Sequence, residues 1–195
     1  MKFTVLFLLI FAAAFASAQN ATTATSKSQT AAAESMQRKL DRIQQNGELA
    51  HPKPLTTVFT EEEVNAYVAS GRVKLPKGVQ SVRFTGTPGV VNALTHVDFD
   101  QLTAGQRSSN PLLGMFTGVH DVTVIAHASG VDGQGKVHVD SVQLDGVEIP
   151  QFVLQLFVSH YLKPKYPNLG IDSTFQLPAK VKTATVGEHK LTVEQ

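Results

Sequence analysis

Two groups of side chains in this sequence have the types and spacing for chemistry. Pairing two strands around Val131-Asp132-Gly133-Gln134 sets His127 opposite His138, on a face that also carries Asp140. Two imidazoles and a carboxylate on neighbouring strands are donors for zinc or copper. No fourth ligand accompanies them, and such residues are ordinary on the wet face of a sheet, so the sequence assigns no metal and no cofactor. The second group is Thr60-Glu61-Glu62-Glu63. Adjacent carboxylates suit acid/base or metal chemistry, but these lie between Phe59 and Val64 in the pattern of a capping box. The Thr60 hydroxyl accepts from the N3 amide, Glu63 reaches back, and Phe59 staples onto Val64. Acidic side chains in a first helical turn also suit the helix dipole, so their role is read as structural. There is no phosphate-binding glycine loop in a strand-to-helix context, no G-x-S-x-G elbow and no H-E-x-x-H. No catalytic residue is assigned, and the expectation is a protein that is not an enzyme.

Composition narrows the class. The chain has 195 residues, no cysteine, and 17 Lys and Arg against 16 Asp and Glu. Without cysteine there is no disulfide, no thiolate nucleophile, no cysteine metal site and no lipid-modified cysteine anchor. Met1-Lys2, the apolar run from Phe3 to Phe15 and Ala16-Ser17-Ala18 have the form of a leader. They predict a signal peptide over 1–18, cleaved after Ala18, and therefore a periplasmic or secreted bacterial protein. Its removal takes Lys2 and no acid, leaving 16 basic and 16 acidic groups. Such a balance offers no general field for nucleic acid, and no such partner is expected.

The elements that must position a site follow from periodicity. Residues 19–34 hold nothing large and apolar and read as a disordered polar tether. Ser35 can cap an amphipathic helix over 35–50, with Met36, Leu40 and Ile43 at i, i+4 and i+7 and Gly47 at its end. It is expected to lie on the surface of a single α+β domain spanning 55–195; contact with a membrane is the alternative. The capping box opens a helix over 61–69. Val79 to Gly86 and Val90 to Asp100 form a hairpin around Thr87-Pro88-Gly89, a type II turn pattern. That pairing puts Val82, Phe84, Ala93, Val97 and Phe99 on one face, and Asn92, His96, Asp98 and Asp100 on the other. A second hairpin, Val119 to Ser129 with Lys136 to Asp145, puts Val122, Val124, Ala126 and Ala128 on a face with Val137 and Val139. Small alanines there leave room for a helix or a ligand. Between the hairpins, 102–118 breaks the pattern, and Leu112, Leu113, Met115 and Phe116 could plug one end of the sheet or form a lid.

The most apolar stretch after the leader is 151–162, introduced by Pro150 and stopped by Pro164 and Pro167. Phe152, Val153, Leu156, Phe157 and His160 make one face, while Leu154, Val158, Tyr161 and Leu162 make the other side apolar too. A helix apolar nearly all round is covered by protein on both sides or lines something that is not water. It is far short of the roughly 20 residues of a membrane span, so no permanent span is expected once the leader is gone. Terminal strands are read at Ile171 to Leu177, Val181 to Val186 and Lys190 to Val193.

The residues FTEEEVNAYV at 59–68, VQLDGVEIP at 142–150 leading into FVLQLFVSHYL at 152–162, and the closing KLTV at 190–193 together resemble small bacterial envelope proteins of the tubular lipid-binding (TULIP-like) type. The resemblance implies a long, curved antiparallel sheet wrapped around an apolar helix, with one or two further N-terminal helices, and an apolar groove for acyl chains. It places the groove between helix 151–162 and the second hairpin. Val122, Val124, Ala126, Ala128, Val137, Val139, Phe152, Leu156 and Phe157 would line it, and Leu112, Leu113, Met115 and Phe116 would be its lid. Many relatives are lipoproteins; the missing cysteine sets this chain apart from them. The expected function is to hold a lipid or other long apolar molecule. The alternative is a dry-cored envelope scaffold that binds a protein partner, with 19–50 as spacer and docking arm.

Overall fold

The computed structural model describes residues 25–104, 108–164, 166–167 and 170–195. The leader at 1–18 and tether residues 19–24 lie outside these. The fold is α+β, with helices packed on an open, curved, nine-stranded antiparallel sheet.

The first helix, α1 (Thr25–Glu48), is longer than predicted. Residues 25–34 are its first turns rather than part of a tether. Alanines 31–33 are strong helix formers, Ala33 is buried, and Ser28 and Ser35 donate to Glu62 and Glu63. The predicted stripe of α1 is its buried face, with Met36 0% exposed and Leu40 and Ile43 buried, while its other side is open. In the alternative scaffold reading 19–50 is a docking arm; of its described residues, Met36, Leu40 and Ile43 belong to the first core. Gly47 sits inside the helix, where an added Cβ would lie 2.4 Å from the Ala179 carbonyl oxygen.

Strand β1 (Thr56–Thr60), missed in the sequence, runs straight into α2 (Glu61–Ala69). The capping box forms as predicted: Glu63 N–H donates to Thr60 Oγ1 at 3.2 Å and Thr60 N–H to Glu63 Oε2 at 2.9 Å. Each acid of that first turn holds a different element. Glu61 accepts from Gly86 N–H at 3.1 Å and pairs with His189, while Glu62 accepts from Ser28. The Glu63 carboxylate accepts from Lys39, Ser35 and Thr60. Burial alone would raise its pKa, but these hydrogen bonds and the Lys39 charge outweigh burial and lower it.

The first hairpin is β2 (Val79–Thr87) with β3 (Val90–Asp98); the second is β4 (Val119–Val131) with β5 (Gln134–Leu144). Both have the predicted register near their turns: Phe84 faces Ala93, and His127 faces His138. Asp132 and Gly133 have φ of 51° and 77°, the conformation a two-residue hairpin turn demands. The strand β6 (Val147–Glu148) folds back on β5. Near the C-terminus β7 (Asp172–Gln176), β8 (Thr183–Gly187) and β9 (Lys190–Glu194) complete the sheet. β4 is its spine. One edge of β4 pairs with β3 and then, at Ser129 and Gly130, with β8; the other carries β5. β9 and β1 extend the β8 side, and β7 the β5 side.

Between the hairpins, α3 (Phe99–Leu102) precedes a short 3-10 turn at Pro111–Leu113. After Pro150 comes α4 (Gln151–Phe157), whose last turn widens into a π segment at Val158–Leu162. Lys163 N–H donates to the Val158 carbonyl, the five-residue spacing of a π turn.

The inner face of the sheet is covered at both ends by different helices. At one end α1 and α2 form a core of Met36, Leu40, Ile43, Tyr67 and Val68 on Phe59, Phe84 and Val193. At the other, α4 and the 99–116 segment form a second core on Val97, Val122, Val142 and Leu144. α4 therefore shares the concave side with α1 and α2.

Candidate ligand cavity

Between the two cores the inner face is left uncovered by either helical layer. A cavity of about 290 Å³ opens there. Its floor is Val82, Val91, Ala93, Val124, Val137 and Val139, all on the core side of the sheet. These side chains are only half-buried although they point inward, because the two helical layers, against whose cores most of them pack, leave a gap over the middle of the sheet. Leu154, Val158 and Leu162 of the α4 and π segment form one wall, and Leu75 and Pro76 and residues Gly170, Ile171 and Ser173 close it around. Among the described residues no charged side chain lines it. Thr95 is the exception to its apolar floor: its Oγ1 is buried and makes no hydrogen bond, a state that costs about 1–3 kcal/mol.

Of the expected groove residues, Val124, Ala126, Val137 and Val139 line the cavity. Val122 and Phe157 belong instead to the second core, and Ala128 is buried away from the cavity lining. Phe152 and Leu156 are not in the groove; they are 56% and 38% exposed. The reason is a rotation of the helix. Val153, Phe157 and Tyr161 pack into the second core, which turns Leu154, Val158 and Leu162 to the cavity and Phe152 and Leu156 outward. The cavity-facing stripe and residues 75, 76 and 171 were not singled out, since periodicity shows that a helix is apolar all round without showing which stripe meets which neighbour.

The lid reading divides. Leu113 and Phe116 are buried in the second core, with the Phe116 ring 4.3 Å from that of Phe157 and 5.5 Å from that of Phe99. Half of the segment is thus the plug the sequence allowed. Leu112 and Met115 are exposed. None of the four lines the cavity.

The chain matches no family model, no curated protein and no solved structure.

The polar residues singled out lie on the outer face. His127 Nδ1 meets Asp140 at 2.7 Å, but His138 Nδ1 turns to Asp172 at 2.6 Å and only its Nε2 approaches Asp140, at 3.9 Å. Among the described residues no cluster of three such groups is arranged to hold a metal. The register shift between Ile125 and Ala126 leaves Asp140 without a directly opposed residue, so it reaches across to His127. Similar pairs stand elsewhere: His96 with Asp121 on the outer face, His120 with Asp145 at the end of the sheet on the face of Val97 and beside the Phe99 ring, and His189 of the β8–β9 turn with Glu61 of α2. Hydrogen bonds donated to Asp145, Asp172 and Glu61 raise the pKa of His120, His138 and His189 respectively. Conversely, His120 together with the Asp121 amide lowers that of Asp145.

Proposed function

We propose that the protein is a non-enzymatic exported carrier that holds one long apolar chain in the cavity between α4 and the sheet. The observation that carries this reading is the row of inward-pointing valines and Ala93 left half-exposed toward a cavity whose described lining carries no charge. A packed interior leaves few voids larger than a water molecule. Cavity size bounds the occupant. A dry apolar cavity of about 150 Å³ takes a benzene ring, so 290 Å³ has room for roughly twice that, about twelve carbon atoms. That suits one acyl or isoprenoid-like chain and excludes swallowing a whole two-chain lipid. At about 0.8 kcal/mol per methylene, such a chain would contribute roughly 10 kcal/mol gross, from which ordering and competition from membrane are subtracted.

Among the described residues the lining contains no cation to pair with a buried carboxylate, which favours an uncharged inner end of the ligand. The leader pattern and the resemblance to tubular lipid-binding proteins both agree with an envelope role. The test is displacement of a fluorescent acyl probe. Ala93 lies on the floor and is half-buried, so Ala93→Phe should fill the cavity and lower probe affinity at least about tenfold, with circular dichroism checking that the protein stays folded. Unchanged affinity in a folded Ala93→Phe protein would place the ligand elsewhere.

A further inference from the structure

The outward stripe of α4 has no role in holding a chain in the cavity. Phe152 and Leu156 stand on it, and the stacking of Phe116 on Phe157 joins the 111–116 segment to the same helix, where Leu112 and Met115 are also turned outward. Val147, at 67% exposure, precedes the helix by a few residues. Neither 108–118 nor 149–162 contains an Asp, Glu, Lys or Arg. Charge resumes only at Glu148 and Lys163, at the two ends of the helix segment.

We infer that this tip docks on the surface of a lipid bilayer, with α4 lying at the interface and Phe152, Leu156, Leu112 and Met115 entering the headgroup boundary. Large exposed apolar side chains grouped together mark interaction sites. Here the two segments that carry them hold none of the charges that a bilayer interior excludes and that the rim of a protein interface usually carries. The placement also meets a need of the cavity, and to that extent rests on the carrier reading. A chain bound there must come from a bilayer, and α4 carries the cavity wall on one stripe, Leu154, Val158 and Leu162, and the exposed phenylalanine and leucine on another. One helix would touch the membrane and the bound chain at once. No helix among the described residues is long and apolar enough to cross, so the contact is peripheral and reversible.

The test is co-sedimentation of the protein with vesicles of phosphatidylcholine containing a minority of phosphatidylglycerol. The parent protein should pellet with them, and the double substitution Phe152→Asp, Leu156→Asp should weaken binding about tenfold or more, the loss expected when even one large apolar side chain is kept out of the interface. Leu112→Asp with Met115→Asp should act the same way. Both pairs are exposed, so folding should survive, as circular dichroism would show. Val131→Asp, at an equally exposed valine on the distant β4–β5 turn, should pellet like the parent. Ala93→Phe should do so too, which separates failure of the cavity from failure of the docking surface. The inference is overturned if the parent stays in solution, if the Phe152, Leu156 variant pellets normally, or if those residues instead drive dimerisation without vesicles.

Discussion

At the residue scale the polar side chains hold the fold together and leave the cavity apolar. The three glutamates of α2 join α1, β2 and the β8–β9 turn, and the histidines of the outer face pair with carboxylates of neighbouring strands. The pairs give a signed pH dependence. His120, His138 and His189 have raised pKa values. Their stabilisation is complete below the ordinary histidine value of about 6.5 and is lost as pH rises through the raised values. Asp145 has a lowered pKa, so its contribution is present above the ordinary aspartate value and is lost as pH falls through the lowered one. Thermal denaturation followed across pH should therefore show a higher midpoint near pH 6 than near pH 8.5, and Asp172→Asn should shrink that difference. A midpoint that rises steadily to pH 8.5 would contradict it. The capping box was readable from Phe59 to Val64 because its signal is local. The outward pairing of His138 with Asp172 was not, since it joins β5 to a strand 34 residues away.

At the element scale, α4 explains why a helix can be apolar on every side without spanning a membrane. Val153, Phe157 and Tyr161 are core, Leu154, Val158 and Leu162 are cavity wall, and Phe152 and Leu156 face outward. Its length and its start after Pro150 were legible from the prolines; its rotation was not, because three neighbours compete for three apolar stripes. The hairpins were read in nearly correct register from alternation and turn residues, except at the shifts after Val79 and Ile125. The N-terminal helix was read too short. Its first turns lack large apolar residues and are held by alanine propensity and by hydrogen bonds to α2 that sequence periodicity cannot register. The close approach of α1 to the 178–180 loop makes a sharp prediction. Gly47→Ala improves helix propensity by up to about 1 kcal/mol, yet its Cβ would meet Ala179 backbone atoms at 2.4–2.7 Å. The clash should win, lowering stability by about 1–3 kcal/mol in chemical denaturation. A stabilised Gly47→Ala protein would show that the loop gives way freely.

At the scale of the whole molecule, the cavity follows from the lengths of the parts. The long strands β2 to β5 present more inner face than either helical layer covers. α1 and α2 close one end, α4 and the 99–116 segment the other, and the uncovered middle is the cavity. The alternating residues of the second hairpin pointed to this face, and Val124, Ala126, Val137 and Val139 do line it. In the first hairpin Val82 and Ala93 are read only as core and Val91 is not singled out, because a cavity floor and a core face need the same residue types. The most direct measurement is native mass spectrometry of the protein purified without detergent from the cells that make it, followed by solvent extraction. The account predicts one single-chain apolar species per protein, lost in Ala93→Phe; a clean unliganded mass for the parent protein would contradict it.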